Sequence, residues 1–356
     1  MMVNQRETIT GSSGYVLGID GGGTKTACVL IASDSRTIAR SSSHASNYHA
    51  VGAEVAQSNI RLAIEQTIDR ALMDHDWLKR DELEISGMGL GLAGVASRED
   101  VAVVRGWVAE YIAEAVGGCR WTFHEGDHDR VYIDHDCAIA LTGGVARVDA
   151  LAQDLPATSI NAAGIGIAAI AGTGSIVFGR GAMGATARVG GWGYLLGDEG
   201  SGYDIARRGL QAALYAADGR GESTRLLDEF QQHFQARSPR DLAMAIYRHH
   251  LPVRDLAALA TIVDRVAVAA DPVARSIIDQ GAAELAIAIR TCARQLFAID
   301  HPVEIVTIGG VWQSGAGFRD RVIDAVRSEF SAASLVWPRS SPAHGAALTV
   351  LRAIAA

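Results

Sequence analysis

The chain has no stripe of Lys or Arg, and its formal charge of −8 has the wrong sign for a nucleic-acid binder, which excludes that class of partner. No apolar run approaches the length of a membrane span, so no membrane partner is expected. Residues 1–14 are polar and lack the apolar core of a signal peptide, so we expect a disordered tail on a cytoplasmic protein. Cysteine is scarce. Cys28, Cys119, Cys137 and Cys292 stand far apart, with no Cys-x-x-Cys and no Cys/His ligand spacing, and read as reduced thiols. Aromatic residues are only 6% of the chain, while hydrophobic residues are 49%, with Ala and Gly prominent. That is the composition of a globular enzyme, and 356 residues suffice for two domains.

What the chain does have is three glycine-rich turns, each fed by a short apolar strand. They are LGIDGGGTKTACVLI (17–31), IAAIAGTGSIVFG (167–179) and EIVTIGGVW (304–312). In the first, strand 15–19 runs into Gly21-Gly22-Gly23-Thr24 and a second apolar run leaves it. The second turn, Gly172-Thr173-Gly174, repeats the device. Glycines allow positive φ and leave no Cβ between backbone N–H groups and an anion, and successive N–H groups form a nest for phosphate oxygens. Thr24 and Thr173 add a hydroxyl at each tip. One such turn is equally well a bare hairpin. Three, with a carboxylate (Asp136) after the strand VYID, point to a nucleotide held from two sides. Neither turn has the G-x-x-x-x-G-K-[ST] pattern, nor a G-x-G-x-x-G opening a helix, which argues against Walker-type NTPases and Rossmann dehydrogenases.

The rest of the chain alternates strand and helix signals. Ala56, Ile60, Ile64, Ile68 and Leu72 recur every four residues and predict a helix facing a core. Glycine alternates with larger apolar groups at 85–92, which reads as a buried strand close to other backbone. A helix is expected at 101–116 and strand at 121–133, giving a βββαβαβ-like N-terminal domain at 15–142. A second domain covers 143–342, with a surface insertion at 146–163 and mostly helix from 203 to 297. Ile278, Ala282, Leu285, Ile289, Cys292 and Leu296 form its buried stripe. The final helix, within 343–356, returns to the first domain. A strand–turn–strand unit in each half points to internal duplication.

The segment GGWGYLLGDEGSGYDIA (190–206) carries the most specific signal. With the glycine turns it makes the chain, from about Tyr15 to the last helix, resemble the actin-like ATPase superfamily. The likeness is to its N-acetylglucosamine kinase branch, which also contains activator ATPases of acyl-CoA reductases and dehydratases. The resemblance implies two ribonuclease-H-like domains with mixed sheets around an interdomain cleft, an α/β fold. It implies ATP and Mg²⁺ as cofactors, an amino sugar as substrate and a homodimer.

Residue by residue, it places Asp20 at Mg²⁺, and Gly21, Gly22, Gly23, Thr24, Gly172, Thr173 and Gly174 at the ATP phosphates. It puts Gly310, Ser314 and Ala243 at the adenosine, and makes Asp136 the catalytic base. Asn47 (in SNYHAVG), Asp136, Ser175, Trp192, Gly193 and Asp198 fall on the sugar positions. The chain departs from the family pattern at Ser175-Ile176 and at Ala93-Gly94-Val95, which leaves the sugar's C2 substituent open.

Each residue also has a plainer reading. Asp136 would cap the following helix, Trp192 would be core, and Asp198 with Glu199 would be a solvated pair. His44 and His49 read as loop residues, and Lys25 as a solvent-facing side chain. The expected reaction is transfer of the γ-phosphate of ATP to the 6-hydroxyl of N-acetylglucosamine, with glucosamine second. The rivals are a dehydratase or reductase activator, a non-enzymatic sugar sensor, and a repressor-type regulator. The first needs close Cys pairs for an iron–sulfur cluster, and the last a helix-turn-helix for which the short tail leaves no room.

Overall fold

The computed structural model describes residues 14–146, 164–248 and 251–356. The polar tail and the insertion expected at 146–163 lie, apart from Gly14 and Ala146, outside the described residues. The chain forms two compact units. One joins the N-terminal part to Arg339–Ala356, and the other is Gly164–Pro338.

Unit 1 is built on β1 (Tyr15–Gly21), β2 (Thr26–Ile31), β3 (Thr37–Ser43), β4 (Glu84–Leu92), β5 (Arg120–Trp121) and β6 (Val131–Asp134). The order is β3-β2-β1-β4-β5, with β6 also on β4. The first three strands are an antiparallel meander, and β4 is parallel to β1, β5 and β6. The single strand expected at 121–133 is two short ones, because residues 122–130 turn between them. Helices α1 (Tyr48–Val51), α2 (Ala53–Asp74) and α3 (Arg98–Ala113) follow the meander and β4. The predicted stripe of α2 is buried from Ala56 to Ile68, with Leu72 packed at its edge.

Helices α4 (Asp136–Val145) and α12 (Pro342–Ala355) complete this unit. The alternating glycines of β4 explain how α12 packs: a Cβ on Gly89 would sit 2.3 Å from the Ala346 carbonyl oxygen. Helix backbone therefore lies directly on the sheet, as the Gly alternation predicts. The helices α4 and α12 touch in the same manner, since a Cβ on Gly345 would stand 2.4 Å from the Gly143 nitrogen.

Unit 2 repeats the plan. Its strands are β7 (Gly166–Ala171), β8 (Ser175–Arg180), β9 (Thr186–Gly190), β10 (Glu304–Ile308) and β11 (Ser334–Val336), in the order β11-β10-β7-β8-β9. Again a three-strand antiparallel meander is followed by parallel strands on its first member. The shared topology is the internal duplication that the two glycine turns imply. Helices α5 (Gly202–Ala217), α6 (Leu226–Phe234), α7 (Pro239–Arg248), α8 (Val253–Ala258), α9 (Ala260–Val268), α10 (Pro272–Leu296) and α11 (Phe318–Arg327) enclose one core. Ile278, Ala282, Leu285, Ile289 and Cys292 of α10 are buried in it. Among the described residues no helix is long and apolar enough to cross a membrane.

Candidate active site

Two carboxylates of unit 1 are brought together by strand register. Asp20 near the end of β1 pairs with Gly91 of β4, and Gly91 pairs on its other side with Asp134 of β6. Asp136 follows two residues beyond, on the first turn of α4. A Cβ on Gly91 would stand 2.3 Å from the Ile139 side chain, so glycine there lets α4 approach β4 closely. Burial and then the nearby Asp136 charge push the Asp20 carboxyl up to about 6, while Lys25 opposes the shift. Lys25 is exposed, as the sequence implies, and its charge still acts on Asp20.

Asp136 is not the helix cap. The His135 ring accepts the cap bond from the Ala138 nitrogen at 3.2 Å. The Asp134 carboxylate takes the Tyr132 hydroxyl at 2.6 Å and the His135 nitrogen at 2.8 Å. Asp136 accepts only local bonds, from the Cys137 nitrogen at 2.9 Å and its thiol at 3.4 Å, both through Oδ1. Among the described residues its Oδ2 accepts no hydrogen bond.

The first glycine turn joins β1 to β2, closed by the Gly22 nitrogen on the Lys25 carbonyl at 2.9 Å. The Gly22 carbonyl accepts from the nitrogens of Ser46 (3.0 Å) and Asn47 (3.1 Å), which ties the Asn47 segment to the turn. Buried Thr26 secures the same segment through bonds of 2.7 Å to the Ser46 hydroxyl and the His44 carbonyl. Asn47 caps α1 and lies beside Gly94, where an added Cβ would be 2.9 Å from its Oδ1. Gly21, Gly22, Gly23, Gly172 and Gly174 all have negative φ, so these turns do not use the left-handed freedom that glycine allows. A Cβ on Gly23 would meet nothing within 4 Å, and one on Gly22 or Gly172 only ordinary contacts. Glycine there leaves room for a ligand.

In unit 2, the turn Gly172–Gly174 is stapled to the start of α5. The Gly202 nitrogen donates to the Gly172 carbonyl at 2.8 Å, and the Tyr203 nitrogen to the Thr173 carbonyl at 3.2 Å. The loop between β9 and α5 is where positive φ is required: Gly190, Gly191, Gly193 and Gly200 all adopt it, as does Asp198. That conformation accounts for the spacing of glycines in 190–206. Trp192 is 74% exposed at the bend, not core. Asp198 is nearly buried rather than solvated. It accepts the Ser175 nitrogen at 3.2 Å, and a Cβ on Gly174 would meet it at 2.7 Å. Burial raises its pKa above the ordinary carboxylate value. The Ser175 hydroxyl donates to the Glu199 carbonyl at 2.8 Å. The sugar candidates Ser175, Trp192, Gly193 and Asp198 thus belong to one loop cluster behind the second turn.

That turn also borders a cavity of about 810 Å³, whose lining includes Gly172 and Thr173 together with Gly310 and Ser314. Arg254, Ala257, Thr261 and Asp264 complete its wall. Such a volume suits a nucleoside. Ala243 is not brought here. It lines a separate cavity of about 510 Å³ beside α5, and the alanines that face the nucleoside-sized cavity are Ala257, Ala258 and Ala260. Sequence reading also missed Asp264. Its carboxylate accepts from the Ser314 hydroxyl and from the nitrogens of Gly315 (3.0 Å) and Ala316 (3.1 Å), which fixes the segment after the third glycine turn. The only local signal is a carboxylate inside the apolar helix ATIVDRVAV.

The chain is 29% identical over 297 residues to an N-acetylmuramic acid/N-acetylglucosamine kinase of Clostridium acetobutylicum, covering 83% of this chain and 85% of that one. It is 32% identical over 234 residues to the N-acetyl-D-glucosamine kinase of Dictyostelium discoideum, covering 65% and 64%. A solved structure of a candidate N-acetylglucosamine kinase from Chromobacterium violaceum superposes with a TM-score of 0.66 at 25% identity, over 95% of this chain and 99% of the other. A profile of the BadF/BadG/BcrA/BcrD ATPase family matches residues 17–350, and the chain belongs to that family, within the actin-like ATPase fold.

Proposed function

We propose that the protein is an ATP-dependent kinase that phosphorylates the 6-hydroxyl of an amino sugar, N-acetylglucosamine first and glucosamine second. The observation that carries the reading is the carboxylate pair Asp20 and Asp136, set by strand register beside the first glycine turn. Phosphoryl transfer needs positioning, charge neutralisation and a proton acceptor. Asp136 accepts the proton of the attacking hydroxyl, for which its Oδ2 is available. In a loose transition state that proton moves late, so a carboxylate is base enough.

Asn47 in unit 1, and Ser175, Trp192, Gly193 and Asp198 in unit 2, are the groups proposed for the sugar. The cavity lined by Gly310, Ser314 and Ala257 takes the adenosine. The N–H groups of both glycine turns, with Thr24 and Thr173, take phosphate oxygens. The donor set at Asp20 suits Mg²⁺: hard carboxylate oxygens, whose charge in the absence of a cation is disfavoured first by burial and then by the Asp136 charge. When bound, the ion neutralises charge on the phosphates.

The rival that drives electrons through an iron–sulfur cluster needs accessible thiolates. All four cysteines are buried, and burial pushes the thiols of Cys28 and Cys292 up to about 12 and that of Cys119 up to about 11. A coupled assay over hexoses and amino sugars, including the N-acetylmuramic acid named for the Clostridium relative, tests the proposal. N-acetylglucosamine should give the highest kcat/KM. Equal rates with glucose would make the protein a general hexokinase, and sugar-independent ATP hydrolysis would make it no kinase.

A further inference from the structure

The Asn47 segment is held from two sides. One is the Gly22 carbonyl of the first glycine turn, and the other is a carboxylate for which the proposed reaction has no role so far, Asp100 on α3. Asp100 closes the capping box of α3, accepting from the nitrogens of Ala96 (2.9 Å) and Ser97 (2.7 Å) and from the Ser97 hydroxyl (2.8 Å), all through Oδ2. Its other oxygen, Oδ1, faces α1. It accepts the Tyr48 hydroxyl in a short bond, and the His49 Nε2 lies 3.5 Å away. The Asp100 side chain is 14% exposed and that of His49 58%, so of these contacts the Tyr48 bond is the better shielded from water.

Tyr48 and His49 directly follow Asn47, and both are further fixed. The Tyr48 ring stands edge-on to Trp107 at 5.7 Å, and the His49 Nε2 is 3.1 Å from the Gly94 carbonyl oxygen. The His49 nitrogen donates in turn to the Asn47 Oδ1 at 3.2 Å. Both Asn47 and His49 crowd the space above Gly94, where an added Cβ would be 2.9 Å from each. The two oxygens of Asp100 thus divide their work: one caps a helix, and the other binds the Tyr48 hydroxyl and stands 3.5 Å from the ring of His49, whose backbone N–H meets the Asn47 carboxamide.

We propose that Asp100 is a positioning residue for acceptor binding, holding the Asn47 carboxamide beside Gly94 through Tyr48 and His49. The proposal rests on the reading of Asn47 as an acceptor ligand. An amide fixed before the sugar arrives loses less freedom on binding, so loosening it weakens acceptor affinity and leaves the nucleotide site alone.

The test is steady-state kinetics of the full chain with ATP and N-acetylglucosamine. Asp100→Ala should raise the sugar KM about tenfold while the ATP KM stays within about twofold. In an Asn47→Ala background the same change should add less than about twofold, because its effect passes through Asn47. Ser97→Ala, which weakens the cap and spares Tyr48 and His49, should lower the melting temperature and leave the sugar KM unchanged.

An unchanged KM in Asp100→Ala, or a full additional effect in the Asn47→Ala background, overturns the proposal. So does a Ser97→Ala variant that raises the KM as much as Asp100→Ala. If Asn47→Ala itself leaves the sugar KM unchanged, the reading of Asn47 fails and the proposal with it. If Asp100→Ala does not fold, Tyr48→Phe, which keeps every bond of the α3 cap, decides the matter. It should raise the sugar KM about threefold, and no change overturns the proposal.

Discussion

The two glycine turns share one backbone plan and serve different neighbours. In unit 1 the turn carbonyl of Gly22 holds the Asn47 segment, and the carboxylates Asp20 and Asp136 stand beside it. In unit 2 the carbonyls of Gly172 and Thr173 hold the start of α5, and the turn forms one end of a nucleoside-sized cavity. A duplicated strand–turn–strand thus stands beside a carboxylate pair in one copy and beside a nucleoside-sized cavity in the other. Reaction rate should therefore respond most to unit 1, and nucleotide affinity most to unit 2.

The largest expected break is in unit 1. Asp136→Asn should cut kcat by about 10²–10⁴ and leave ATP affinity nearly unchanged, as read by calorimetry beside a kinase assay. Near wild-type turnover would remove Asp136 as the base.

Next comes Gly172→Val, which adds volume where a phosphate approaches without demanding a forbidden φ. ATP affinity should fall by about 10²-fold with the circular dichroism spectrum intact, a loss equal to a few strong hydrogen bonds. Gly22→Val should weaken ATP as well, and normal binding by either variant would refute phosphate contact at that turn.

A smaller effect is expected from Asp264→Ala, which frees the segment after the third turn. ATP KM should rise about tenfold while sugar KM stays within about twofold. Equal rises in both would separate Asp264 from the nucleotide cavity.

The last prediction is read in stability rather than in rate or affinity, and concerns Asp20. Its carboxyl is raised from the ordinary carboxylate value to about 6. The protonated form is thus favoured by folding, and that contribution is complete below about pH 4 and lost as pH rises through 6. Asp20→Asn should accordingly be more resistant to urea than wild type above pH 6, by at most about 3 kcal/mol at 1.36 kcal/mol per pH unit, and equal to it near pH 4. A wild type more stable than the variant at pH 7 would contradict the cost that burial, and then the Asp136 charge, place on the Asp20 carboxylate.

Much of this was legible from local pattern. The period of α2 and α10, the glycine alternation of β4 and the order of the turns each encode a local geometry, and each appears as expected. Trp192 is exposed between glycines that the structure holds at positive φ, so the spacing of glycines around it was a better guide than its apolar side chain. What escaped was long-range. Asp264 acts on residues about fifty positions later, and Ala243 sits on a helix whose sequence carries no mark of which cavity it faces. The absence of positive φ at Gly22 and Gly172 escaped for a different reason. Glycine is equally suited to a strained turn and to an open one, and composition does not distinguish them.

The central claim is that this fold moves a phosphoryl group onto a sugar. The most direct measurement is the ratio of sugar phosphate to ADP formed with N-acetylglucosamine, in wild type and in Asp136→Asn. The account predicts one sugar phosphate for each ADP in wild type, with both products lost together in the variant. ADP without sugar phosphate, or undiminished sugar phosphate from Asp136→Asn, would contradict it.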